Sequence, residues 1–72
     1  MTSDILDVLL EAASKGESYS PWEASEVVGK NVTTIYNWIR SGNLRAIKTG
    51  GRYNIPAEAL VERVKAIRND QS

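Results

Sequence analysis

Seventy-two residues, nine acidic and nine basic side chains and a net charge of zero describe one small neutral domain, residues 1–72. A chain this short buries only about 60% of its unfolded surface, so no second domain fits and sensor, catalytic or effector parts are expected on other proteins. Cysteine and histidine are both absent, which removes disulfides, thiolate and imidazole metal ligands and the commonest general bases; no cofactor, no metal and no enzyme activity are expected.

In chain order, Ser3 or Asp4 caps a first helix that ends near Ser14, with Gly16 just past it. Ile5, Leu6, Leu9 and Ala13 share a face, and Val8 and Leu10 widen it. Such a stripe covers a core or stays partly exposed as a protein-contact surface. Residues 1–16 thus form an accessory helix. Ser20-Pro21-Trp22-Glu23 starts the second helix. Ser20 accepts from the Glu23 N–H, the Glu23 side chain reaches back, and Pro21 fills the first helical position, where no N–H is needed. Tyr19 is placed to staple onto Ala24 or its neighbours. This helix runs about Pro21 to Val28, with Trp22, Ala24, Val27 and Val28 apolar and Gly29 at its end. Lys30-Asn31 makes the turn.

Asn31 caps a third helix over Val32 to Ser41, closed by Gly42. At about 100° per residue, Val32, Ile35, Tyr36, Trp38 and Ile39 take one side; Thr33, Thr34, Asn37, Arg40 and Ser41 take the other. The polar side has no carboxylate. Hydroxyls, an amide and a guanidinium are the groups that hold phosphates and read base edges. Two extended runs follow, Leu44 to Thr49 and Arg52 to Ile55, joined by Gly50-Gly51, a two-residue hairpin signal. The turn is expected to present Lys48 and Arg52 together at its tip. Pro56 starts a last helix over Ala57 to Arg68, with Leu60, Val61, Val64 and Ile67 inward. Residues 69–72 read as a frayed tail. Both tryptophans, Trp22 and Trp38, are expected in the core.

The neutral total hides a segregated charge. Val27 to Ala57 holds five bases (Lys30, Arg40, Arg45, Lys48, Arg52) and no acid, whereas six acids precede it against Lys15 alone. An electropositive middle on a compact frame points to a polyanion, with double-stranded DNA the expected one. The order helix, turn, helix, basic hairpin predicts a mainly α fold with a small β-hairpin: a winged helix-turn-helix with an extra N-terminal helix. Its second helix suits the major groove, and its hairpin suits the adjacent backbone or minor groove. The expected DNA-binding residues are Lys30, Asn31, Thr33, Thr34, Tyr36, Asn37, Arg40, Ser41, Arg45, Lys48, Gly50, Gly51 and Arg52. No apolar run reaches the roughly 20 residues of a membrane span, and Met1-Thr2-Ser3-Asp4 lacks a signal peptide's basic start. No membrane partner is expected.

Residues 19–60 also resemble the excisionase-type, MerR-related winged-helix DNA-binding family. The matching pieces are Ser20-Pro21-Trp22-Glu23-Ala24, the turn Val28-Gly29-Lys30-Asn31 and the run Thr34-Ile35-Tyr36-Asn37-Trp38-Ile39-Arg40. Ser41-Gly42-Asn43-Leu44, the stretch from Ala46 to Pro56, and Ala59-Leu60 complete them. MerR proteins carry an Arg-Tyr-Tyr run that would fall on Tyr36-Asn37-Trp38, so the resemblance leans towards phage excisionases, as does the short stretch after the domain. It implies an architectural factor, also called a recombination directionality factor. Such proteins bind tandem attachment-arm sites, bend DNA, self-associate on it and contact an integrase, in the bacterial host cytoplasm at the nucleoid. The resemblance implies nothing for the first helix.

Two alternatives use the same residues. A small MerR-like transcriptional regulator has the same DNA surface, with a palindromic site and a stable dimer as its marks. A protein adaptor would turn the basic segment to an acidic partner. Tyr19, Tyr36 and Tyr53 invite comparison with recombinase nucleophiles, but such chemistry needs several positioned arginines and a pocket around the phenol.

Overall fold

Side-chain caps set the helix boundaries. The computed structural model describes residues 4–70. Asp4 accepts from the Leu6 N–H at 3.2 Å and opens α1 (Ile5–Ser14). Before α2 (Pro21–Val28) the reciprocal box forms: Ser20 Oγ accepts from the Glu23 N–H at 3.2 Å, and Glu23 Oε1 accepts from the Ser20 N–H at 3.0 Å. Asn31 Oδ1 accepts from the Thr33 N–H at 2.9 Å and opens α3 (Val32–Ser41). Each such cap contributes about 0.5–2 kcal/mol, a large share of the margin available to so small a domain.

Beyond α3 the Asn43 and Leu44 N–H groups donate to the Trp38 carbonyl. This turns the chain so that Leu44 drops into the core, 2% exposed. Leu44 was expected to begin a strand. It plugs the core from a loop instead, and β2 begins later, at Ile47–Thr49. β3 is Arg52–Pro56, and the two pair antiparallel as Ile47↔Asn54, Lys48↔Tyr53 and Thr49↔Arg52. Gly50 and Gly51 both take positive φ, 57° and 82°. Two successive left-handed residues make the hairpin turn whose twist matches the strands.

The sheet has a third strand. β1 (Ser18–Tyr19) pairs antiparallel with β3, giving the order β1-β3-β2. Two residues carry no readable alternation, so the sequence predicted a hairpin alone, with Tyr19 as a helix staple. Tyr19 instead lies opposite Ile55. Pro56 closes β3 rather than starting the last helix, α4 (Ala57–Asp70). The Ala57 N–H donates to the Glu17 carbonyl at 3.0 Å. Asn69 and Asp70 continue α4, against the expected tail from 69; residues 71–72 lie outside the described residues.

The core is built from Leu9 of α1, Ala24 of α2, Ile35 of α3, Leu44, Ile55 of β3, and Leu60, Val61 and Val64 of α4. Leu9, Ile35, Ile55 and Leu60 are fully buried; each contributes about 1.5–3 kcal/mol relative to exposure. On α1 the inward row is Ile5, Leu9 and Ala12, and Val8 and Leu10 stay 48% and 44% exposed. Of the two tryptophans, Trp38 packs on the core, with the Arg63 guanidinium 5.0 Å from its ring. Trp22 does not: it is 62% exposed. Pro21, Ala24 and Ser25 occupy the inward face of α2, and Trp22, one step of about 100° from Pro21, turns outward. A helix pair with a tight turn, a three-stranded antiparallel sheet and flanking helices make this a winged helix-turn-helix with an added N-terminal helix.

Candidate nucleic-acid interface

The outer face of α3 follows from its inner one. Ile35 is buried, while Trp38 and Ile39 pack on the core, which leaves Thr33, Asn37 and Arg40, spaced i, i+4, i+7, on one exposed row. Ser41 is exposed beside them, its Oγ donating to the Trp38 carbonyl at 3.2 Å. Thr34 is half-buried, at the edge of the row. Lys30 and Asn31 are exposed in the preceding turn. The Asn31 carbonyl oxygen is taken by the helix cap, which leaves its NH₂ group to donate outward. Among the described residues, no carboxylate pairs with Lys30, Arg40, Lys48 or Arg52.

Tyr36 was grouped with the apolar side. It lies at the border, 41% exposed, and its ring meets the Tyr53 ring edge-on, centroids 6.2 Å apart at 67°. The Lys48 ammonium lies 5.6 Å from the centroid of that same Tyr53 ring. An aromatic chain therefore joins α3 to the wing, the β2–β3 hairpin; such pairs contribute about 0.5–1.5 kcal/mol beyond area burial. Tyr53 was absent from the expected site. The signal for it lay in the two-residue loop, whose closure pairs Lys48 with Tyr53 across the strands.

The same register corrects the wing tip. Paired residues share a face and neighbours alternate. Lys48 and Tyr53 face the helices, whereas Thr49, Arg52, Ile47 and Asn54 face away. Lys48 and Arg52 flank the Gly50-Gly51 turn on opposite faces of the ribbon rather than side by side. Arg45 goes elsewhere: its guanidinium sits 4.0 Å from the Glu58 carboxylate of α4, both side chains largely exposed. The structure thus brings Thr33, Asn37, Arg40 and Ser41 into one surface, sets the wing beside it through Tyr36, and leaves Arg45 against α4.

Tyr19 does not have the environment of a nucleophile. Burial first, then Glu17 and Glu23, raise its phenol above the ordinary value, the reverse of activation. No helix among the described residues is long and apolar enough to cross a membrane. A family model described as a helix-turn-helix domain matches residues 18–68. That span holds the helix pair, the whole sheet and most of α4, and leaves α1 outside. No curated protein and no solved structure matches the chain.

Proposed function

The chain belongs to the helix-turn-helix domain family, a DNA-binding family, and from that premise we propose that it is a sequence-specific architectural protein of the excisionase type. In this reading α3 enters the major groove and the wing lies along the neighbouring backbone or minor groove. Copies occupy tandem sites in an attachment arm, bend the DNA and direct an integrase towards excision, without chemistry of their own. The observation that carries DNA reading is the exposed row Thr33, Asn37 and Arg40: it is free of acid and lies next to a wing with two cations. An ordinary solvated helix face mixes carboxylates with bases. The excisionase assignment rests on the resemblance of Thr34 to Arg40, where Asn37 and Trp38 replace the paired tyrosines of MerR proteins.

Selection of bound duplexes from random DNA, followed by footprinting of full-length protein, tests the proposal. Protected direct repeats with hypersensitive, bent spacers are expected. A protected palindrome would move the protein to the small transcriptional regulators. Absence of salt-sensitive DNA binding would leave only the adaptor reading.

A further inference from the structure

α1 lies outside the helix-turn-helix match, which begins at residue 18, yet its first residue completes a recess on the far side of the molecule's helix pair. Ile5 of α1, Val28 of α2, Trp38 of α3 and Val64 and Ile67 of α4 line a space of about 210 Å³, together with two cations, Lys30 and Arg68. Small-molecule sites have this composition: an apolar lining with a few polar groups that fix orientation. We propose that the recess binds a small apolar carboxylate, the size of one aromatic ring with a short acidic arm, and that its occupancy weakens DNA binding. The second half rests on the DNA reading proposed above; the first does not.

Volume and charge select the occupant. An apolar cavity of about 150 Å³ holds benzene, so about 210 Å³ takes one ring and its arm. Trp38 offers that ring an aromatic partner, and the Arg63 guanidinium, 5.0 Å from the Trp38 ring, adds to the positive field. The two lining cations differ. Arg68 donates to Asp4, and Asp7 also acts on it, so its charge is already balanced. Lys30 is exposed, and among the described residues no carboxylate pairs with it. An ammonium beside an apolar recess favours an apolar body with an anionic head, through a charge-assisted hydrogen bond, and disfavours a cationic one. Lys30 also stands in the turn between α2 and α3, where it is expected to meet phosphate. One ammonium does not hold a carboxylate and a phosphate at once, so ligand and DNA oppose each other equally in both directions.

Phenylacetate is the probe. With about ten non-hydrogen atoms and an open recess to fill, it is expected to bind in the millimolar range. The chain has two tryptophans, so the two indole N–H signals of a nitrogen-15 correlation spectrum report separately on the recess, through Trp38, and on the exposed Trp22. A saturable shift of the Trp38 signal is expected while the Trp22 signal stays still. Phenethylamine, of similar size with a cationic arm, is expected to bind at least about tenfold more weakly, and Lys30→Gln to lose about tenfold in phenylacetate affinity. Val28→Phe is expected to fill the recess and abolish the shift, and its melting temperature separates filling from unfolding. Against sodium acetate at equal ionic strength, saturating phenylacetate is expected to weaken DNA binding about threefold, as loss of one phosphate contact would. Three results in the wild type overturn the site: no saturable Trp38 shift, an equal response to phenethylamine, or a Trp38 signal that moves with protein concentration alone, which would put a second copy in the recess. A saturable shift with unchanged DNA affinity overturns the link to DNA. If the wild type binds no DNA, the DNA reading and the link fall together, and the indole titration, run without DNA, still decides the site.

Discussion

Asn37 and Arg40 are the two side chains on α3 with the chemistry to tell one base pair from another. An amide pairs two-pronged with adenine and a guanidinium with guanine, and both stand on the exposed row. Replacing either with alanine is expected to cost about 1–3 kcal/mol of binding and to relax preference at one base position; competition against a panel of single-base variants measures it. Unchanged affinity and preference in both mutants would show that another face meets the groove. This row was legible in the sequence because α3 is ten residues long with a consistent apolar side. Trp22 was not legible. On the eight residues of α2, a small shift of the inward direction separates a buried position from an exposed one, and Pro21 took the buried one.

At the scale of elements, α1 and α4 are tied together by Asp4 and Arg68. Nη1 and Nη2 of Arg68 both donate to the Asp4 carboxylate, linking the cap of α1 to the last turns of α4. Chiefly through the Arg68 hydrogen bonds, and then through the Leu6 N–H, the Asp4 carboxyl is lowered from its ordinary 3.8 to about 2. Unfolding returns it to the ordinary value. A depressed folded value means that the clasp's contribution is complete above pH 3.8 and is lost as pH falls through about 2. The gap in melting temperature between wild type and Arg68→Gln is expected to be constant near neutrality and to close over that acid window. A gap that persists unchanged at pH 2 would show that Arg68 stabilises through packing alone. For the wing, Lys48 and Arg52 lie on opposite faces, so they are expected to reach different phosphates. Each alanine variant should weaken binding similarly on all sequences and reduce the salt slope by about 1, with the two reductions adding. A slope unchanged in the double mutant would place the wing clear of the DNA.

The whole molecule is a small reader with its charges sorted. A single module of this kind buries roughly 600–1,000 Å² of protein surface on DNA, too little by itself to single out one site in a genome. In the proposed reading several copies act together on tandem sites, and α1 and the outer face of the wing are the surfaces expected to meet. α1 exposes Asp7 and Glu11 with Val8 and Leu10, and the outer face of the wing exposes Ile47 beside Arg52. Opposed charge favours encounter of the two. The expected behaviour is a monomer in sedimentation at micromolar concentration, with a higher affinity per site on a two-site duplex than on a one-site duplex. A tight dimer without DNA, or equal affinity per site on both duplexes, would remove head-to-tail assembly and favour the regulator.

The boundaries of α1, α2 and α3, the Gly-Gly turn and the acid-free face of α3 were determined by the sequence itself, because caps, glycines and helical periodicity act within a few residues of one another. The structure alone decided the rest. β1 exists because Ser18 and Tyr19 find Ile55 and Pro56 more than thirty residues away. Leu44 left its expected strand because the core had room for it. Arg45 met Glu58, and Tyr36 met Tyr53, because packing brought α4 and the wing to them. These are contacts between distant parts of the chain, and their partners are chosen by how the elements fill space around Leu9, Ile35, Ile55 and Leu60, which no local spacing encodes.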